Sequence, residues 1–201
     1  SSSTYGDSEI LPKVEDIIGN PLSPYAITKY VNELYANNFK LVHNLDSIGL
    51  RYFNVFGKRQ SPEGEYAAVI PKFINKLINN ESPVIYGDGS NSRDFTYIDN
   101  VIQINFKAMF TKNKNALNQI YNVAVGERTS LIKLIKEIKF QLSFYKKDVD
   151  DIDLIFDKPR DGDVLHSQAS INKAFKLLQY KPTHNLSDGL KDSIKWYIEN
   201  L

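Results

Sequence analysis

A helix-length amphipathic stretch followed at once by a short apolar run is the pattern that most narrows the fold of this chain. Residues 23–43 carry Ile27, Val31, Leu34, Tyr35 and Phe39 at spacings near three and four, one apolar stripe with Lys29 and Glu33 on its polar flank. Ser23 is a good N-cap, and Pro24 suits the first helical position, where a missing N–H costs nothing. Residues 47–53 then read as a buried strand, from which Asn54-Val55-Phe56-Gly57 leads away. A helix feeding a buried strand predicts a parallel α/β sheet.

The rhythm repeats downstream. Val69, Ile70, Phe73, Ile74, Leu77 and Ile78 form a second amphipathic helix closed by Asn79-Asn80, with a strand over 83–86. Gly87-Asp88-Gly89-Ser90-Asn91-Ser92 is a dense loop signal. Asp99 is placed to cap a helix through Val101, Ile104, Phe106 and Phe110, and residues 120–125 read as another buried strand. Thr129 or Ser130 caps a helix that turns Leu131, Leu134, Ile135 and Ile138 inward. A strand over 154–156 and helices over 170–178 and 187–200 finish the chain.

Composition removes several classes of function. With 25 basic and 24 acidic residues the net charge is +1, which gives no global attraction to nucleic acid or an anionic membrane. An anionic ligand must therefore be held by local groups. There is no cysteine, which excludes disulfides and thiolate metal sites and fits a reducing cytoplasm. His43, His166 and His184 are too dispersed to suggest a metal site, and no apolar run approaches a membrane span of ~18 residues.

Chemistry concentrates at Tyr25 and Lys29. Four residues apart on one helix face, a phenol and an ammonium lie side by side, and a neighbouring cation favours the ionised phenol. A hydroxyl cluster, Ser1 to Thr4, stands upstream, where a strand end can deliver a serine beside Tyr25. Such a set suits proton exchange at a carbinol: serine orients the hydroxyl, tyrosine takes its proton and lysine holds the tyrosine ionised.

Five motifs in order carry a wider likeness: Ser1-Ser2-Ser3-Thr4-Tyr5-Gly6; Ser23-Pro24-Tyr25 with Lys29; Leu50-Arg51-Tyr52-Phe53-Asn54-Val55-Phe56-Gly57; Gly87-Asp88-Gly89 leading to Arg93-Asp94-Phe95; and Pro159-Arg160-Asp161-Gly162-Asp163. Together they resemble the extended short-chain dehydrogenase/reductases that modify nucleotide sugars, and most resemble the UDP-N-acetylglucosamine 4-epimerase branch. The resemblance spans the whole chain. It implies an α/β fold, the C-terminal part of a Rossmann-like parallel sheet with a smaller substrate-binding cap. Residues 1–57 would end the Rossmann-like domain, 58–98 and 145–201 would form cap segments, and 99–144 would return to the domain. The glycine-rich turn that cradles the NAD pyrophosphate would lie upstream of Ser1, making the chain a fragment that is inactive by itself.

The same resemblance implies site roles. Tyr25 is the base; Lys29 tunes it and contacts the nicotinamide ribose; the orienting serine is Ser1, with Ser2 and Ser3 close enough to leave the choice open. Tyr52 and Phe53 would border the nicotinamide of NAD, and Asn54 would reach the sugar diphosphate. Arg93 and Arg160 would grip the diphosphate with their bidentate forks, Asp163 would accept from the uridine ribose and Tyr86 would join the uracil pocket. Ser167, where epimerases restricted to glucose and galactose carry a tyrosine, leaves room for an N-acetyl group.

The implied reaction is C4 epimerisation of a UDP-hexose through a 4-keto sugar that turns about its diphosphate. Dehydratases and decarboxylases of the family carry an acidic residue just before the Tyr-Gly of the serine motif. Here the first carboxylate is Asp7, beyond Tyr5-Gly6, so epimerisation fits better. UDP-glucose/UDP-galactose epimerisation, another nucleotide-sugar dehydration or decarboxylation, and a catalytically incompetent nucleotide-sugar binder are the alternatives. In the family, dimers pair through the helix that carries the tyrosine, so Val31, Tyr35 and Phe39 face either a second copy or the chain's own core.

Overall fold

The structure is a computed structural model that describes residues 1–63, 68–159 and 164–200. In chain order its regular elements are α1 (Pro24–His43), β1 (Ile48–Tyr52), β2 (Val55–Phe56), α2 (Val69–Ile78), β3 (Val84–Tyr86), β4 (Ser92–Arg93), β5 (Thr96–Tyr97), α3 (Ile98–Met109), β6 (Gln119–Val123), β7 (Thr129–Ser130), α4 (Leu131–Ser143), β8 (Ile155–Asp157), α5 (Asn172–Leu178) and α6 (Leu186–Asn200). A 3-10 turn, Ser2–Tyr5, precedes them.

Local chemistry sets the helix ends. The Ser23 hydroxyl accepts from the Ala26 N–H at 3.1 Å, and Asn44, left-handed at φ 53°, closes α1 by donating its N–H to the Lys40 carbonyl. Ser130 caps α4 through the Lys133 N–H. At α3 the expected cap shifts: Tyr97 holds the N-cap position, and Asp99 lies in the first turn, where its charge faces the positive end of the helix dipole.

Three of the four strand pairs are parallel. β1 runs beside β6 with Arg51 opposite Asn122 and Tyr52 opposite Val123. β2 pairs with β5, and β3 with β8. Among the described residues β4 and β7 form the antiparallel pair, with Ser92 opposite Ser130.

Two main cores result. Ile70, Ile74 and Leu77 of α2 pack with Leu134, Ile135, Ile138 and Leu142 of α4, Leu190, Ile194 and Tyr197 of α6, and Phe56, Ile85, Phe95 and Tyr97. The second joins Tyr121 and Val123 of β6 to Val101 and Ile104 of α3, Ala174 and Leu178 of α5, and Tyr180. Each such side chain contributes about 1.5–3 kcal/mol by leaving water. The packing crosses the segment boundaries expected from sequence. α4 shares the core of α2 and α6, whereas α5 packs on β6, because periodicity tells which face of a helix is apolar and not what that face meets.

The apolar stripe of α1 lies outside the chain's core. Ala26 is the one buried residue of this helix; Ile27, Leu34, Tyr35 and Phe39 are exposed. Among the described residues, no helix is long and apolar enough to cross a membrane.

Candidate active site

β1 ends at Tyr52, and the chain leaves its carboxyl edge through Phe53 and Asn54, where ligands of parallel α/β folds bind. Three cavities meet there. The first, about 660 Å³, is lined by Ser1, Ser2, Tyr25, Lys29, Glu33, Tyr52 and Asn54 among others. The second, about 370 Å³, takes in Ser1, Ser2, Ser3, Tyr25, Asn54, Lys13, Arg93 and Ser167. The third, about 410 Å³, is walled by Asn54, Val69, Lys72, Phe73, Tyr86, Arg93 and Phe95. Asn54 lines all three and stands at the left-handed φ of 34°. Its amide donates to the Asp94 carbonyl at 3.1 Å, which turns the chain sharply as it quits the strand.

Tyr25 is 56% exposed on the first turn of α1, and the Lys29 ammonium lies over its ring, 5.1 Å from the centroid. Ser1 caps the 3-10 turn: its hydroxyl accepts from the Ser3 N–H at 3.3 Å and from the Ser3 hydroxyl at 2.9 Å. Ser1, Ser2 and Tyr25 line the same two cavities, whereas Ser3 reaches only the second. The Tyr52 hydroxyl donates to the Asn105 side chain at 3.1 Å, with the ring at the edge of the first cavity.

Phe53 goes elsewhere. It is 0% exposed, packed with Tyr5, Ala124 and Ala169, and lines none of the three cavities. Successive residues of an extended chain point to opposite faces, so Tyr52 and Phe53 do not share one wall.

Arg93 stands between the second and third cavities, its guanidinium donating at 3.1 Å to the carbonyls of Ser92 and Leu165. Residues 165–167 run beside β4: the Ser92 N–H donates to Leu165 and the Ser167 N–H to Ser92, both at 2.9 Å. This brings Ser167, 9% exposed, to the cavity of Tyr25. Tyr86, at the end of β3, borders the third cavity. Arg160 and Asp163 lie outside the described residues. Among the described residues, no group of three or more His, Cys, Asp or Glu side chains gathers as metal ligands would.

Two residues that sequence reasoning passed over hold the site together. Asp94 is fully buried, and its carboxylate accepts N–H bonds from Val125 and Gly126 at 3.0 Å and Ala169 at 3.2 Å, tying β4 to the exit of β6 and to the 165–169 segment. Burial pushes its carboxyl up to about 7, against the opposing pull of those three donors. Arg51, 3% exposed, forks both carboxylate oxygens of Glu33 at 2.8 Å, donates to the Glu15 carbonyl at 2.9 Å and stacks over Tyr5, 4.9 Å from its centroid. Both stand inside quoted motifs, and that position was their only signal.

A hydroxyl cluster, a phenol and an ammonium line a cavity that shares Asn54 with a second, aromatic-walled one, an arrangement chemically able to exchange a proton with a hydroxyl. Comparison with known proteins agrees with that chemistry. The profile of the NAD dependent epimerase/dehydratase family matches residues 1–124, and the chain belongs to that family. A UDP-N-acetylglucosamine 4-epimerase from Methanobrevibacter ruminantium, solved with UDP-N-acetylmuramic acid, superposes with a TM-score of 0.91 at 38% identity over 100% of this chain and 62% of its own. The Thermotoga maritima UDP-glucose 4-epimerase with UDP-glucose gives 0.89 at 33% over 98% and 61%. The Bacillus cereus UDP-glucuronic acid 4-epimerase with UDP-glucuronic acid and NAD gives 0.86 at 30% over 100% and 60%. The fold is thus the Rossmann-like α/β fold of these epimerases. The chain spans between 46% and 61% of the length of curated relatives that it matches.

Proposed function

We propose that this chain supplies the catalytic helix and the sugar-nucleotide cleft of an NAD-dependent UDP-hexose 4-epimerase that interconverts UDP-N-acetylglucosamine and UDP-N-acetylgalactosamine. The observation that carries this reading is the single cavity shared by Ser1, Tyr25, Asn54, Arg93 and Ser167. Tyr25 takes the proton of the sugar 4-hydroxyl and returns it after the sugar has turned, Ser1 orients that hydroxyl and Lys29 stabilises the phenolate. Arg93, with Arg160, holds the diphosphate about which the sugar turns, keeping the keto sugar tethered between the two half-reactions. Tyr86 flanks the uracil, and Asp163 accepts from the ribose hydroxyls.

NAD, when bound, supplies the hydride acceptor and donor for C4. The residues present suit its nicotinamide end, with Lys29 and the Tyr52 ring on the cavity at the carboxyl edge of β1. No Gly-x-Gly-x-x-Gly turn occurs in the 201 residues. On this reading the 201-residue chain alone binds UDP-sugar without turning it over. The exposed apolar side chains of α1 suit pairing with a second copy in the complete enzyme.

The deciding assay offers UDP-N-acetylglucosamine, UDP-glucose and UDP-glucuronate separately to the protein together with its dinucleotide-binding half and follows the products by NMR. Exclusive turnover of UDP-glucose or UDP-glucuronate would sink the N-acetylhexosamine assignment. Ser167→Tyr is expected to lower kcat/KM for the UDP-N-acetylhexosamine by at least about tenfold relative to UDP-glucose, a steric loss of about 1.4 kcal/mol or more. An unchanged ratio of the two kcat/KM values would remove Ser167 from substrate selection.

A further inference from the structure

Glu33 stands four residues beyond Lys29 on α1, as Lys29 stands four beyond Tyr25, so the three side chains share one helix face and line one cavity. Lys29 therefore has two neighbours competing for it, a phenol one turn back and a carboxylate one turn on. A carboxylate is much the stronger attractor of an ammonium. In the structure Lys29 nonetheless lies over Tyr25, and both carboxylate oxygens of Glu33 are occupied by the Arg51 fork at 2.8 Å. The pair is nearly enclosed, with side chains 3% and 12% exposed.

We infer that Arg51 is a positioning residue that sequesters Glu33 and so leaves Lys29 to Tyr25. Its remaining contacts fix it for that task. One guanidinium nitrogen is anchored on the Glu15 carbonyl, and the plane covers the Tyr5 ring. Tyr5 in turn donates from its hydroxyl to Asn122 at 2.6 Å, and Asn122 sits opposite Arg51 in the β1–β6 register. The cation is thus held from strand, turn and helix at once, and it joins the 3-10 turn behind Ser1 to the helix that carries Tyr25. Arg51 touches neither substrate nor cofactor on this account. The inference rests on the proposed roles of Tyr25 and Lys29.

The test is a double-mutant cycle in the complete enzyme with R51M, E33Q and R51M/E33Q. Freed of its arginine, Glu33 captures Lys29, so R51M is expected to lower kcat by at least about tenfold with KM for UDP-sugar within about twofold. E33Q removes the competitor, so E33Q alone should cost less than R51M, and the double variant should recover most of the rate. Equal losses in both single variants, with no recovery in the double, would overturn the inference and leave Arg51 as a brace for α1 only. R51K, which keeps a buried cation but not the fork, covers the case in which R51M fails to fold and is expected to fall between R51M and the parent protein.

A readout without turnover separates this from the epimerase assignment. After reductive 13C-methylation, the Lys29 signal should respond to E33Q in the R51M background and stay unmoved by E33Q alone. That outcome together with no turnover of any UDP-sugar by the parent enzyme would refute the functional reading and leave the Lys29–Glu33 competition standing. A signal indifferent to E33Q in both backgrounds would overturn the competition itself.

Discussion

Replacing Tyr25 with phenylalanine is expected to lower kcat for the UDP-sugar about a thousandfold while UDP binding is retained. Positioned general acid–base groups contribute roughly 10²–10⁴ in rate, and among the described residues Tyr25 is the one phenol that shares both the first and second cavities with Ser1. The third cavity, at Tyr86, Phe95 and Lys72, where the proposed function places the nucleotide, does not include Tyr25, so calorimetric titration with UDP should give an unchanged affinity. The ring stays, and so does its packing under Lys29. Turnover within about threefold of the parent enzyme would exclude Tyr25 as the base.

The second large effect concerns Asp94 and is one of stability. Its folded carboxyl, near 7, lies above the unfolded value of ~3.9, so between these limits the folded state holds the proton that the unfolded state releases. The stability it confers is full below about pH 4 and is lost as pH rises through 7, a fall of up to about 4 kcal/mol. Denaturant melts across pH 4–8 should show that slope in the difference between the parent and Asp94→Asn, a comparison that removes the opposing contribution of the Ser1 ammonium, held down to about 6 by burial. The amide also turns an NH₂ toward backbone donors, which costs roughly 2–3 kcal/mol, or about 4–12 °C in Tm for a chain of this size. A difference between parent and variant that instead rises from pH 4 to 7 would mean that the three N–H donors outweigh burial and hold the carboxyl ionised.

Much of this architecture was legible in the sequence, for reasons that are local. The ends of α1 follow from Ser23, Pro24 and Asn44, and α2 runs over Val69–Ile78, the stretch its apolar periodicity marks out. The two-residue pairs β2–β5 and β4–β7 were not legible, because such short strands carry no periodicity and their partners lie far along the chain. The site divides in the same way. Ser1, Tyr25, Lys29, Tyr52, Asn54, Tyr86, Arg93 and Ser167 all reach a cavity wall. Phe53 does not, since strand alternation overrides its membership of a motif. Asp94 escaped notice because its partners are backbone N–H groups of Val125, Gly126 and Ala169, which no side-chain pattern announces.

Helix α1 carries the phenol proposed as the base yet takes only Ala26 wholly out of water. Its order comes from two end caps and the Arg51 fork on Glu33, not from a buried face of its own. The helix is thus fixed in this chain at its two ends and through one enclosed ion pair, and its apolar outer face is left to the contact that the proposed pairing with a second copy would make.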